Sequence, residues 1–125
     1  MSKKSPAKRL NRPGGYFQVD REWFQSPAYR SLSSDARALL MEFLNLDQRQ
    51  NGHLAISVER AAAMLNVSQN TIRKAFRQLY DRGFLEPTAE YSYTNGKARC
   101  YHLTLTPCRG REPTDAWRSW TPPAR

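Results

Sequence analysis

Between Ser68 and Gly83 the chain gathers side chains that suit the edges and backbone of a nucleic acid. They are Gln69, Asn70, Arg73, Lys74, Arg77 and Arg82, set against one acid, Asp81. Asn and Gln can make paired hydrogen bonds to adenine and Arg to guanine, while Lys, Ser and Thr suit phosphate oxygens. Whether such groups act together depends on spacing. At about 100° per residue on a helix, Asn70, Lys74 and Arg77 fall near the middle of one face. Thr71, Arg73 and Gln78 flank it, and Ile72, Ala75, Phe76, Leu79 and Tyr80 form an apolar stripe opposite. Ser68 is placed to cap this helix, expected over residues 68–82, and Gly83 to end it. The same pattern also fits a plain helical hairpin with a solvated charged face, so the flanking sequence decides between the two uses.

A second amphipathic helix precedes it. Val58, Ala61, Ala62 and Leu65 recur at i, i+3, i+4 and i+7, and Ser57 can cap their N-terminus. Asn66-Val67-Ser68 interrupts the pattern as a tight turn, and the run Ala61-Ala62-Ala63 lets two helices approach closely. After Gly83 come two β-prone runs, residues 84–93 and 98–106, joined through Thr94-Asn95-Gly96-Lys97. Asn-Gly between such runs is a strong hairpin signal. In the second run Tyr101, Leu103 and Leu105 should meet the core, with Cys100 and His102 on the other face. Pro87 implies an edge position or a bend. Residues 53–57 suggest a third, small strand. The resulting order is helix, short strand, helix, turn, helix, hairpin. It defines a mainly α fold with a small β-hairpin wing, an α+β winged helix-turn-helix.

The segment from about Leu39 to Thr106 resembles the winged helix-turn-helix DNA-binding proteins of bacteria, plasmids and phages. Residues 67–85 (VSQNTIRKAFRQLYDRGFL) are similar to the recognition helix and wing start of GntR-type and MarR-type regulators. In those families a Ser or Thr opens the recognition helix and an Arg follows the central apolar residue. That pattern falls here on Ser68, Thr71 and Arg73, and the wing tip on Asn95, Gly96 and Lys97. Residues 107–125 do not spell the long effector domain or dimerisation helix that GntR-type proteins carry.

The elements around this unit are legible too. Residues 1–15 hold Lys3, Lys4, Lys8, Arg9 and Arg12 with no acid, broken by Pro and Gly, and read as a disordered basic arm. Such an arm either follows phosphates or is a solvated tail. Residues 16–32 form an aromatic extension in which Asp20 can cap a short helix bearing Trp23 and Phe24, and Pro27 can begin another bearing Tyr29. These rings are expected to pack on the first long helix, with a dimer contact as the competing use. That helix begins at Ser33 or Ser34 and buries Ala36, Leu39, Leu40, Phe43 and Leu44. The winged domain therefore covers 16–106. Residues 107–125 read as a flexible tail whose Trp117 and Trp120, at i and i+3 after Thr114, can make one helical turn against a partner or against the domain itself.

Composition narrows the function classes. The 125 residues carry a net charge of +9, but residues 16–106 account for only +2, so the DNA-binding reading rests on where the charges cluster. No apolar run is long enough for a membrane span, and no secretory h-region is visible. Two cysteines, Cys100 and Cys108, fit a reducing cytoplasm. Together with His53 and His102 they lack the paired spacing of a zinc site. No nucleophile elbow or phosphate-binding Gly loop is present, so neither enzyme activity nor a cofactor is expected.

The expected function is sequence-specific binding of double-stranded DNA by a cytoplasmic, nucleoid-associated transcriptional regulator. Gln69, Asn70, Arg73 and Arg77 would read bases, while Ser68, Thr71 and Lys74 would hold phosphates. Asn95, Lys97 and Arg99 on the wing would touch backbone or minor groove. The alternatives are a plasmid or phage replication initiator, on the same fold, and a winged-helix protein-interaction module. A homodimer and a protein partner at the Trp117/Trp120 tail are the other partners considered.

Overall fold

The computed structural model describes residues 13–47, 51–52, 54–88, 100–108 and 111–123. Most of the basic arm, His53, and the wing tip with Asn95, Lys97 and Arg99 lie outside the described residues. Among the described residues five helices, α1 (Arg21–Phe24), α2 (Pro27–Arg30), α3 (Ser34–Leu46), α4 (Val58–Leu65) and α5 (Gln69–Asp81), precede a two-stranded antiparallel sheet, β1 (Leu85–Pro87) and β2 (Tyr101–Leu103). A 3₁₀ turn, Ala116–Ser119, follows. The fold is thus mainly helical with a small sheet. None of the described helices is long and apolar enough to cross a membrane.

Each helix starts where a short polar side chain can accept a backbone N–H that the helix itself leaves unpaired. Asp20 accepts from Glu22 N, Ser26 from Tyr29 N, Ser33 from Ala36 N, Ser57 from Arg60 N and Ser68 from Thr71 N. The apolar stripes then meet. Ala36, Leu39, Leu40 and Phe43 of α3 share one core with Ala61 of α4, with Ile72, Ala75 and Leu79 of α5, and with Leu54, Ile56, Phe84, Leu85 and Leu103. The aromatic extension contributes more than a surface contact. Trp23 and Tyr29 are buried, both edge-on to Phe84 at 6.2 and 6.5 Å, and the Arg37 guanidinium of α3 covers the Tyr29 ring at 5.0 Å.

In the sheet, Leu85 faces Leu103, Glu86 faces His102 and Pro87 faces Tyr101. Pro87 is tolerated there because the Tyr101 amide and carbonyl point the other way, to Leu54 (2.7 and 3.2 Å), so the missing N–H costs no ladder bond. The third strand expected over residues 53–57 shrinks to this one bridge, Leu54 to Tyr101. Just upstream, Asn51 is 5% exposed and its side chain works as backbone: Oδ1 accepts from Leu103 N at 2.6 Å and Nδ2 reaches Leu103 O at 2.9 Å. The same Nδ2 donates to Thr106 Oγ1, which donates in turn to Asp47. Asn-Gly is a residue pair that suits a turn. The turn is present, with Gly52 at φ 104°, but the amide also pins the exit of β2.

The chain after β2 returns to the body. Thr104 is buried and donates to Gly83 O at 2.6 Å, and Asp115 N donates to Thr104 O at 2.9 Å. Of the two uses that sequence allowed for Trp117, the structure shows the ring in the domain core at 5% exposure. Thr114 does not cap the turn. Asp115 takes the position before it with a left-handed backbone and accepts from Trp117 Nε1 at 3.0 Å. Arg118 grips Glu22 through two bonds, at 2.7 and 3.1 Å, which hold its guanidinium pKa above the ordinary value.

Candidate nucleic-acid interface

The turn between α4 and α5 sets how the basic helix is presented. Asn66 adopts φ 59°, ψ 49°, a left-handed conformation that Asn tolerates better than most residues. Val67 N then closes onto Ala62 O at 3.1 Å, and the chain re-enters a helix at Ser68. Ala61 and Ala62 are buried at the contact between the two helices, and Ala63 is exposed. On the other side α5 is held against α3. At its far end Gly83, at φ 84°, and Phe84 N, bonded to Leu79 O at 2.9 Å, close the helix.

With α5 fixed on two sides, its outer face is defined. Gln69, Asn70, Arg73, Lys74 and Arg77 are all exposed. Gln69 and Arg73 meet one turn apart, Arg73 Nη2 donating to Gln69 Oε1 at 3.4 Å. Asn70, Lys74 and Arg77 make no hydrogen bond or ion pair among the described residues. Ser68 and Thr71 differ from these: their hydroxyls lie 3.0 Å apart and Thr71 is half-buried, so both first serve the cap of α5. Gln78 leaves the face altogether. Its Oε1 accepts from Ser33 N at 2.8 Å, tying α5 to the start of α3. Arg82 is also withdrawn, donating to Ser31 Oγ at 2.9 Å and lying 5.1 Å from the Trp120 ring. The structure therefore brings together Gln69, Asn70, Arg73, Lys74 and Arg77 beside the cap Ser68–Thr71. The wing residues Asn95, Lys97 and Arg99 lie outside the described residues.

Beside this face runs a groove of about 540 Å³ lined by Ile56, Ser57, Val58, Arg73, Phe76, Arg77 and Tyr101. Its floor is built from Phe76 stacked on Tyr101 at 5.5 Å, both edge-on to the buried Phe43. Phe76 and Tyr101, expected in the core, also line this groove beside Arg73 and Arg77. The available signal was their place in two stripes that converge at the base of the sheet.

The charge along α5 is also distinctive. Helices α1, α3 and α4 each place an acid in the first turn, Glu22, Asp35 and Glu59, whereas α5, like the short α2, has none there. With no acid in that turn, an anion placed at the N-terminal end of α5 gains both the free N–H groups and the helix field.

No family model and no curated protein matches this sequence. A solved structure does resemble it. That structure is described as a Rep–DNA complex; the match covers 82% of this chain and 83% of that one, at 22% identity and a TM-score of 0.49.

Proposed function

We propose that this protein is a winged helix-turn-helix protein that binds double-stranded DNA in a sequence-specific way. In this reading α5 enters the major groove. Gln69, Asn70, Arg73 and Arg77 meet base edges, Lys74 meets phosphate, and the amides capped by Ser68 face the backbone. The segment from β1 to β2 is the wing, with Asn95, Lys97 and Arg99 on backbone or minor groove. The observation that carries the reading is that Asn70, Lys74 and Arg77 have no partner among the described residues, whereas Thr71, Gln78 and the flanking Arg82 are engaged by the protein itself. The biological role we assign is transcription regulation, without enzymatic activity.

Selection of duplexes from a random pool with the purified protein tests this directly. A recovered consensus, bound much more weakly by the Asn70/Arg73/Arg77 triple alanine variant in a mobility-shift assay, is the expected result. Equal binding by the two proteins would sink the proposal. Sites mapped to promoters fit a regulator, whereas a repeated array at a replication origin would reassign the chain to replication initiation.

A further inference from the structure

We infer that Asp81 is a specificity determinant that works by exclusion: its carboxylate keeps the last turn of α5 off the phosphate backbone, so that only the N-terminal turns dock productively. This inference rests on the DNA-binding reading and deepens it. Asn70, Lys74, Arg77 and Asp81 follow one another at i, i+4, i+7 and i+11, within a narrow wedge of the helix surface at about 100° per residue. The stripe that carries the free cations therefore ends in an anion, roughly 16 Å along the axis from Asn70. That side chain is 62% exposed, and the nearest cation, on Arg82, stands 4.0 Å away and is already engaged by Ser31 and Trp120.

The exposed 4.0 Å pair with Arg82 gives the folding of α5 little need for an acid at this position. A carboxylate in the last turn opposes the negative end of the helix, and no base in that turn offsets it. The consequence outside the helix is specific. A flat, sequence-independent approach would lay the basic stripe along a strand of phosphates and bring Asp81 against them. An approach with the N-terminus leading places Asn70, Lys74 and Arg77 in a groove about 12 Å wide and leaves Asp81 near or beyond its edge. A group that disfavours the wrong pose more than the right one raises discrimination even though it adds no attraction.

The test compares the full chain with Asp81→Asn and Asp81→Glu on two probes, a duplex recovered by selection and a mixed-sequence duplex of equal length. Asp81→Asn should bind the mixed duplex about fivefold more tightly, the scale of one close charge–charge repulsion in water, and change the selected duplex by less than about twofold. Asp81→Glu should keep the wild-type ratio, and neither variant should melt below wild type. Equal gains on both probes, or no gain on the mixed duplex, would overturn the inference. So would a loss on the selected duplex with an altered consensus, which would make Asp81 a base reader. If wild type recovers no consensus, or the Asn70/Arg73/Arg77 triple alanine variant binds as well as wild type, the DNA-binding reading fails and the Asp81 role falls with it; the results with Asp81→Asn and Asp81→Glu bear on Asp81 alone.

Discussion

A guanidinium or amide that finds no partner within its own protein is hydrated at rest and can exchange that water for another ligand at little structural cost. Among the described residues Arg77 and Asn70 have no such partner, while Arg82, five residues further on, is held by Ser31 and Trp120. The difference makes separate predictions for residues that composition treats alike. Arg77→Ala should cost about 1–3 kcal/mol on a selected duplex and relax the preference at one base position. Lys74→Ala should weaken all duplexes alike and reduce the salt slope by about one unit. Titrations at several salt concentrations separate the two, and identical behaviour of both variants would contradict the assignment of base and phosphate roles. Asn51 lies at the opposite extreme, a buried amide with every polar atom engaged. Asn51→Ala leaves Leu103 N and the Thr106 hydroxyl without that partner, and should cost about 2–3 kcal/mol in chemical denaturation. Its role was not legible in the sequence, because a side chain that bonds to backbone 52 residues away leaves no local spacing signal.

At the scale of elements, the caps and stripes were readable and the tertiary polar contacts were not. Ser33, Ser57 and Ser68 stand where a helix needs an acceptor, and each is found accepting from the amide three residues on. That information is local, so periodicity and capping chemistry suffice. Gln78 shows the limit. Counting around the helix puts it beside the outer face, yet the unpaired amide at the start of α3 comes within 2.8 Å and takes it. The candidate site was therefore legible in Asn70, Arg73, Lys74 and Arg77, and blurred at its edges, where a neighbouring element decides which way a side chain turns. Gly83 links the two kinds of information. Its positive φ was expected from a helix stop, but the return of the distal chain was not: a Cβ there would sit 2.8 Å from Ala116 C and from Trp117 N. Gly83→Ala should thus cost more than the roughly 1–3 kcal/mol of a strained left-handed residue alone, because backbone, and not a flexible side chain, blocks the space. A thermal or denaturant melt that shows a loss below about 1 kcal/mol would mean that residues 116–117 yield easily.

For the whole molecule, the question is what closes the flanking segments, residues 13–32 and 111–123, onto the longer helices. Two of the contacts that join residues 115–120 to the body are the buried Trp117 ring and the exposed clasp between Arg118 and Glu22. They differ in physical kind. A large ring removed from water contributes through area and packing, and its truncation in a core costs about 3–5 kcal/mol. An exposed ion pair is screened by water and salt and pays side-chain entropy, so its loss is worth little. Trp117→Ala should accordingly lower stability by several kcal/mol, and should also loosen α5, because the ring's own segment lies against Gly83 at the helix terminus. Arg118→Ala should leave the denaturation midpoint nearly unchanged. Binding adds a further discriminator. If the Trp117 segment serves only to brace α5, Trp117→Ala reduces duplex affinity in proportion to the fraction unfolded, and an added stabilising osmolyte restores it. Should Arg118→Ala prove the more damaging of the two, the ends would be joined by charge, and stability would fall steeply with added salt.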